Sequence, residues 1–105
     1  MISTKQKIFI ARSAAGLVRV TRRTLGAGSV ADVRRDGLNW RLDLGEGIDF
    51  AIYLLGAFER GTQKQYGQIL KAGDVALDIG ANIGAHTLPI ARCVGPSGHV
   101  HAFEP

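Results

Sequence analysis

The chain has 105 residues, an apolar fraction of 46% and a formal net charge of +4, which limits it to one small domain or part of a larger one. No stretch reaches the roughly 20 apolar residues of a membrane span, and Arg12 interrupts the apolar part of the basic start, which spoils a secretory signal. The single cysteine, Cys93, has no partner for a disulfide or a CxxC metal site, so neither is expected; a buried helix position and a cytoplasmic chain are.

The charge is unevenly placed. Lys5, Lys7, Arg12, Arg19, Arg22 and Arg23 all precede the first acid, Asp32, whereas the rest of the chain has seven bases against nine acids. Residues 1–31 therefore read as a basic helical extension. Ile8, Phe9, Ala11, Ala15, Leu17, Val18 and Leu25 recur roughly at helical spacing with bases between them, and Gly26 to Ser29 end the run. The favoured role is a helix packed on the following domain. A weak membrane-surface contact is the second reading, and no nucleic-acid partner is expected, because the aromatic residues do not cluster among the bases.

Residues 32–58 read as a hairpin and a helix. Asp36-Gly37 is a strong turn signal, since both central residues of a type I′ turn need positive φ. Beyond it Leu38, Trp40, Leu42 and Leu44 alternate with Asn39, Arg41 and Asp43, the pattern of a strand with one buried face, and Trp40 is expected as a core anchor. Gly45 to Gly47 is either a boundary or a loop. Ile48 to Ala57 and Glu59 to Lys71 read as one or two helices interrupted near Gly56 and Gly61, closed by Lys71-Ala72-Gly73-Asp74.

Residues 59–105 carry the chemistry. Val75 to Ile79 is a short apolar run with one acid, Asp78, broken at Gly80, and reads as a buried strand ending in a tight turn. Gly84 opens a stretch of helical character to about Cys93, VGPSG turns the chain, and His99 to Phe103 reads as a second strand that ends at Glu104. Parallel strands need a crossover, so the economical reading is one βαβ unit. Ligands of such sheets sit beyond the carboxyl ends of the strands, where Asp78, the Gly80 to Gly84 loop and Glu104 would meet.

Two cofactors use a strand, a glycine turn and a distal acid: a dinucleotide and S-adenosylmethionine. A dinucleotide fingerprint wants GxGxxG, and from Gly80 the chain offers Gly80, Asn82 and Ala85, without the middle glycine. The carboxylate of Asp78 would also repel a pyrophosphate, whereas S-adenosylmethionine presents an ammonium group and a sulfonium. The acid suits the cation.

DIGANIG followed by HAFEP resembles the first two cofactor motifs of class I methyltransferases, and the fuller strings LKAGDVALDIGANIGAHTLPIA and GHVHAFEP resemble the FkbM family, whose members are generally O-methyltransferases. The likeness is densest from Glu59 to Pro105. It implies an α/β, Rossmann-like class I methyltransferase fold, incomplete at its first βαβ unit and preceded by the helix and hairpin, with the C-terminal half of the domain missing. It further implies that Asp78 holds the methionine ammonium, directly or through water, and Gly80 lets the backbone approach. Asn82 and Gly84 would shape the loop where free amides meet the methionine carboxylate, and Glu104 would take the ribose hydroxyls. The acceptor would be a small-molecule or sugar hydroxyl, with no metal and no assignable base. His86 stands where the family often has an aromatic residue, and a packing or capping role is expected for it. The competing readings are a non-catalytic fragment that binds S-adenosylmethionine or another nucleoside, and an NAD-binding Rossmann fragment.

Overall fold

The computed structural model describes residues 3–105, a mixed α/β arrangement of four helices and two small sheets. The first helix, α1 (Thr4–Thr24), starts earlier than the apolar spacing indicates, because Ser3 and Gln6 form a capping box. It ends at Leu25, and Gly26 follows with φ 72°. Although α1 is long enough to span a bilayer, none of the described helices is both long and apolar enough to cross one.

Strands β1 (Val30–Arg35) and β2 (Leu38–Asp43) pair antiparallel around Asp36 and Gly37, whose φ values of 48° and 74° are those the sequence requires of them. The alternation in β2 puts Trp40, Leu42 and Leu44 inside, where they pack with Ala31, Phe50, Ile52 and Ala85. Helix α2 (Gly47–Leu55) covers this sheet and stops at Gly56, in the left-handed region at φ 85°. Arg35 ties the two together: its Nε donates to the Tyr53 carbonyl at 2.8 Å and its guanidinium lies over the Tyr53 ring. At the other end of α2, Asp49 is only 4% exposed, and its Oδ2 accepts from the Asp43 amide at 2.7 Å.

Helix α3 (Arg60–Ile69) passes through Gly61 without interruption and ends before the Lys71 to Asp74 turn. That turn is closed by the Asp74 carboxylate, which accepts from the Lys71 amide at 2.8 Å. Then β3 (Val75–Ile79), α4 (Thr87–Val94) and β4 (His99–Phe103) form the βαβ unit, with β3 and β4 parallel and Val75 opposite His99. Three expectations differ from the structure. The helix begins at Thr87 rather than near Gly84, because Gly84 has φ 87°, outside the helical region, and Pro89, lacking an N–H, fits only a first turn. Strand β3 is also not buried on both sides: Leu77 is 62% and Ile79 82% exposed. Successive side chains alternate faces, so Val75, Leu77 and Ile79 share one face with His99, His101 and Phe103, and no described element covers it. Cys93, expected to be buried, is half-buried.

The βαβ unit is not detached from the hairpin. Ala85 belongs to the central core cluster, and Leu88 packs against it. Arg92 of α4 reaches the hairpin turn, where its Nη2 meets the Asp36 carboxylate at 3.0 Å. These contacts fix the loop after β3 against the rest of the chain.

Candidate functional site

The loop from Gly80 to His86 is held by the end of β4. The amides of Gly80 and Ala81 both donate to the Phe103 carbonyl, at 2.8 and 3.0 Å, which fastens the end of β3 to its neighbour. The next amide, that of Asn82, donates to Glu104 Oε2 at 2.6 Å. Glu104 is thus drawn onto the loop, and its other oxygen stays outside that bond. A charge-assisted contact of this kind orients the carboxylate.

The loop's shape follows from three residues with positive φ: Gly80 at 80°, Asn82 at 50° and Gly84 at 87°. Glycine enters this region freely, and asparagine is among the few other residues that do. Asn82 therefore performs the backbone role of a glycine, so the missing middle glycine does not by itself alter the turn. A Cβ added at Gly80 would meet nothing within 4 Å, so the space beside the turn is open.

Asp78 lies on the covered face of β3, half-buried, and its Oδ2 accepts from Thr87 Oγ1 at 2.5 Å. That bond joins the strand end to the start of α4. The five residues singled out from the sequence, Asp78, Gly80, Asn82, Gly84 and Glu104, thus come together at the carboxyl ends of β3 and β4, linked by hydrogen bonds within the loop. The loop amides are less free than the resemblance implies, since those of Gly80, Ala81, Asn82 and Gly84 are engaged within this unit. Among the described hydrogen bonds, none starts from the amides of Ile83, Ala85 or His86, and these precede the helix. Ala85 is buried in the core cluster, so the amides of Ile83 and His86 are the donors open to an anion.

Beside the loop lies a second cluster that sequence spacing does not reveal. Tyr66 Oη and His86 Nδ1 are 2.9 Å apart, and Glu59 Oε2 lies 3.7 Å from His86 Nε2. Phe58 and Tyr66 both meet the imidazole edge-on. Burial holds the Tyr66 phenol above its ordinary value of 10.0, and the Asp78 and Glu59 carboxylates push in the same direction. The bond to Tyr66 engages Nδ1 and leaves Nε2 on the side of Glu59. His86 sits at the N-cap position but makes no capping bond. It packs instead, as expected. Gln63 completes the cluster by donating through Nε2 to the Phe58 and Ala85 carbonyls, at 2.7 and 3.3 Å.

Glu59 immediately precedes α3, Gln63 and Tyr66 lie within it, and His86 immediately precedes α4, so their meeting depends on how these helices pack. The sequence carries one partial signal, the i, i+3 spacing of Gln63 and Tyr66 on one helical face. Among the described residues no cluster of histidine, cysteine and acids is arranged to hold a metal. No protein-family model matches the chain, and no curated protein gives a significant match.

Proposed function

We propose that this chain carries the cofactor-binding part of a class I S-adenosylmethionine-dependent methyltransferase with a Rossmann-like sheet, one that transfers methyl to a hydroxyl oxygen of a small molecule or sugar. The observation that carries this reading is the pair of carboxylates, Asp78 and Glu104, at the ends of two paired parallel strands, with the glycine loop between them. Each has one oxygen engaged by the protein, Asp78 by Thr87 and Glu104 by Asn82. The remaining oxygen of each is a charged acceptor for a ligand's ammonium or hydroxyl groups. The Rossmann-like reading is supported by the bare face of β3 and β4, since parallel sheets are ordinarily covered on both faces.

In this reading Asp78 holds the methionine ammonium, with Thr87 fixing its carboxylate, and Glu104 accepts from the ribose hydroxyls while the Asn82 amide sets its direction. The amides of Ile83 and His86 face the methionine carboxylate at the start of α4. S-adenosylmethionine supplies a methyl group already activated on a sulfonium sulfur, so the protein's task is placement of the acceptor oxygen in line with it. The acid and glycine arrangement serves equally a non-catalytic module for the same nucleoside. Methyl transfer, as against binding alone, rests on the DIGANIG and HAFEP motifs.

NAD is the second reading, and Asn82 speaks for it, because its left-handed backbone removes the objection from the missing glycine. Asp78 speaks against it. A carboxylate beside the loop opposes a pyrophosphate and favours a cation.

The test is equilibrium binding of S-adenosylmethionine to the wild type, Asp78→Asn and Glu104→Gln. Each substitution removes a charge-assisted contact of about 1.5–3 kcal/mol, so affinity falls at least tenfold in each. Unchanged affinity in both variants would remove this site from consideration.

A further inference from the structure

The outward side of α1 takes no part in the site described above, and its chemistry is uniform. The helix contains six bases and no acid. Its C-terminal half is anchored: Ala14, Ala15 and Val18 pack against the core, and Arg22 donates to the Gly28 and Val30 carbonyls at 3.2 and 3.1 Å. The N-terminal half projects, with every position from Lys5 to Ser13 exposed.

Anchoring fixes which side faces outward. At about 100° per residue, Phe9, Ile10, Leu17 and Val20 fall within an arc of about 100°, turned away from Ala14, Ala15 and Val18. Phe9 is 71% and Leu17 69% exposed. Beside this arc Lys5, Arg12, Arg19 and Arg23 form a basic stripe about 27 Å long at ~1.5 Å per residue. Glu46 is the one acid lining the groove beside Arg12 and Arg19, and it forms no ion pair with either among the described residues.

We infer that this face of α1 is a docking surface for an anionic lipid bilayer. An apolar arc flanked by bases, on a helix without acids, matches a helix lying in the interface: Phe9, Ile10, Leu17 and Val20 enter the acyl boundary, and the bases reach the headgroups with their stems along the apolar surface. A nucleic acid would pair with the stripe but leave the aliphatic arc in water, and Phe9 is the helix's single stacking surface. The inference is independent of the methyl-transfer reading.

Cosedimentation of the full chain with vesicles tests it, using phosphatidylcholine alone and phosphatidylcholine with about one third phosphatidylserine. Binding is expected to the phosphatidylserine vesicles only, and to weaken steeply as salt is raised. Lys5→Gln with Arg12→Gln lowers the partition about 25-fold, at roughly fivefold per base. Phe9→Ser with Leu17→Ser lowers it at least tenfold by removing apolar contact. All four side chains are exposed, so Trp40 emission should report an unchanged core in both variants. Equal binding to both vesicle types overturns the inference. So does binding that is insensitive to salt, or tighter binding to a DNA duplex than to the vesicles. The salt and lipid comparisons use the wild type and stand even if a variant fails to fold.

Discussion

Asp49 is nearly enclosed, and Tyr66 is perturbed by burial and by neighbouring carboxylates. Asp49 is bonded to the Asp43 amide, so Asp49→Ala leaves that amide without its partner and removes the link between α2 and β2. A loss of about 1–3 kcal/mol is expected, read as a lower urea midpoint. For Tyr66 the prediction concerns pH. Its folded pKa is raised by burial and by Asp78 and Glu59, so its contribution to stability is fully present below the unfolded value of 10.0 and is lost as pH rises through the folded value. Stability should decline on the alkaline side of pH 10.0, and Tyr66→Phe should flatten that decline, as followed by denaturant midpoints across the range.

Among the elements, the turn between α4 and β4 has the least room. A Cβ at Gly98 would lie 2.5 Å from Val94 Cβ and 2.7 Å from the Asp74 carbonyl oxygen. Gly98→Ala must therefore push α4 away from β3, at a cost of about 1–3 kcal/mol, whereas Gly28→Ala meets nothing within 4 Å and serves as the control. The comparison of elements with sequence follows the same physics. The hairpin was legible because Asp36-Gly37 and the period-two leucines encode turn and face locally, and β3 and β4 because their apolar runs end at glycine and acid signals. The start of α4 was misjudged because Gly84 suggested an opening, while its φ of 87° makes it part of the turn. Glu59, Tyr66 and His86 were not legible as a cluster, since two helices must pack before they meet. The meeting of Asp78, Gly80, Asn82, Gly84 and Glu104 was legible because motif and turn signals lie in one continuous segment closed by Glu104.

On the scale of the whole molecule, the radius of gyration of 15.7 Å exceeds the roughly 13 Å expected for a compact domain of this length. The projecting half of α1 extends the molecule, and one face of the β3–β4 sheet is uncovered. The open face carries Val75, Leu77, Ile79 and Phe103, all exposed, so apolar-dye fluorescence should be high in the native state. Leu77→Thr with Ile79→Thr should reduce it while Trp40 emission stays unchanged. Calorimetric titration of the wild-type chain with S-adenosylhomocysteine, and in parallel with NAD, separates the two cofactors that the loop could serve. Saturable binding of S-adenosylhomocysteine and no heat of binding for NAD are expected. Binding of NAD without S-adenosylhomocysteine would contradict the proposed function.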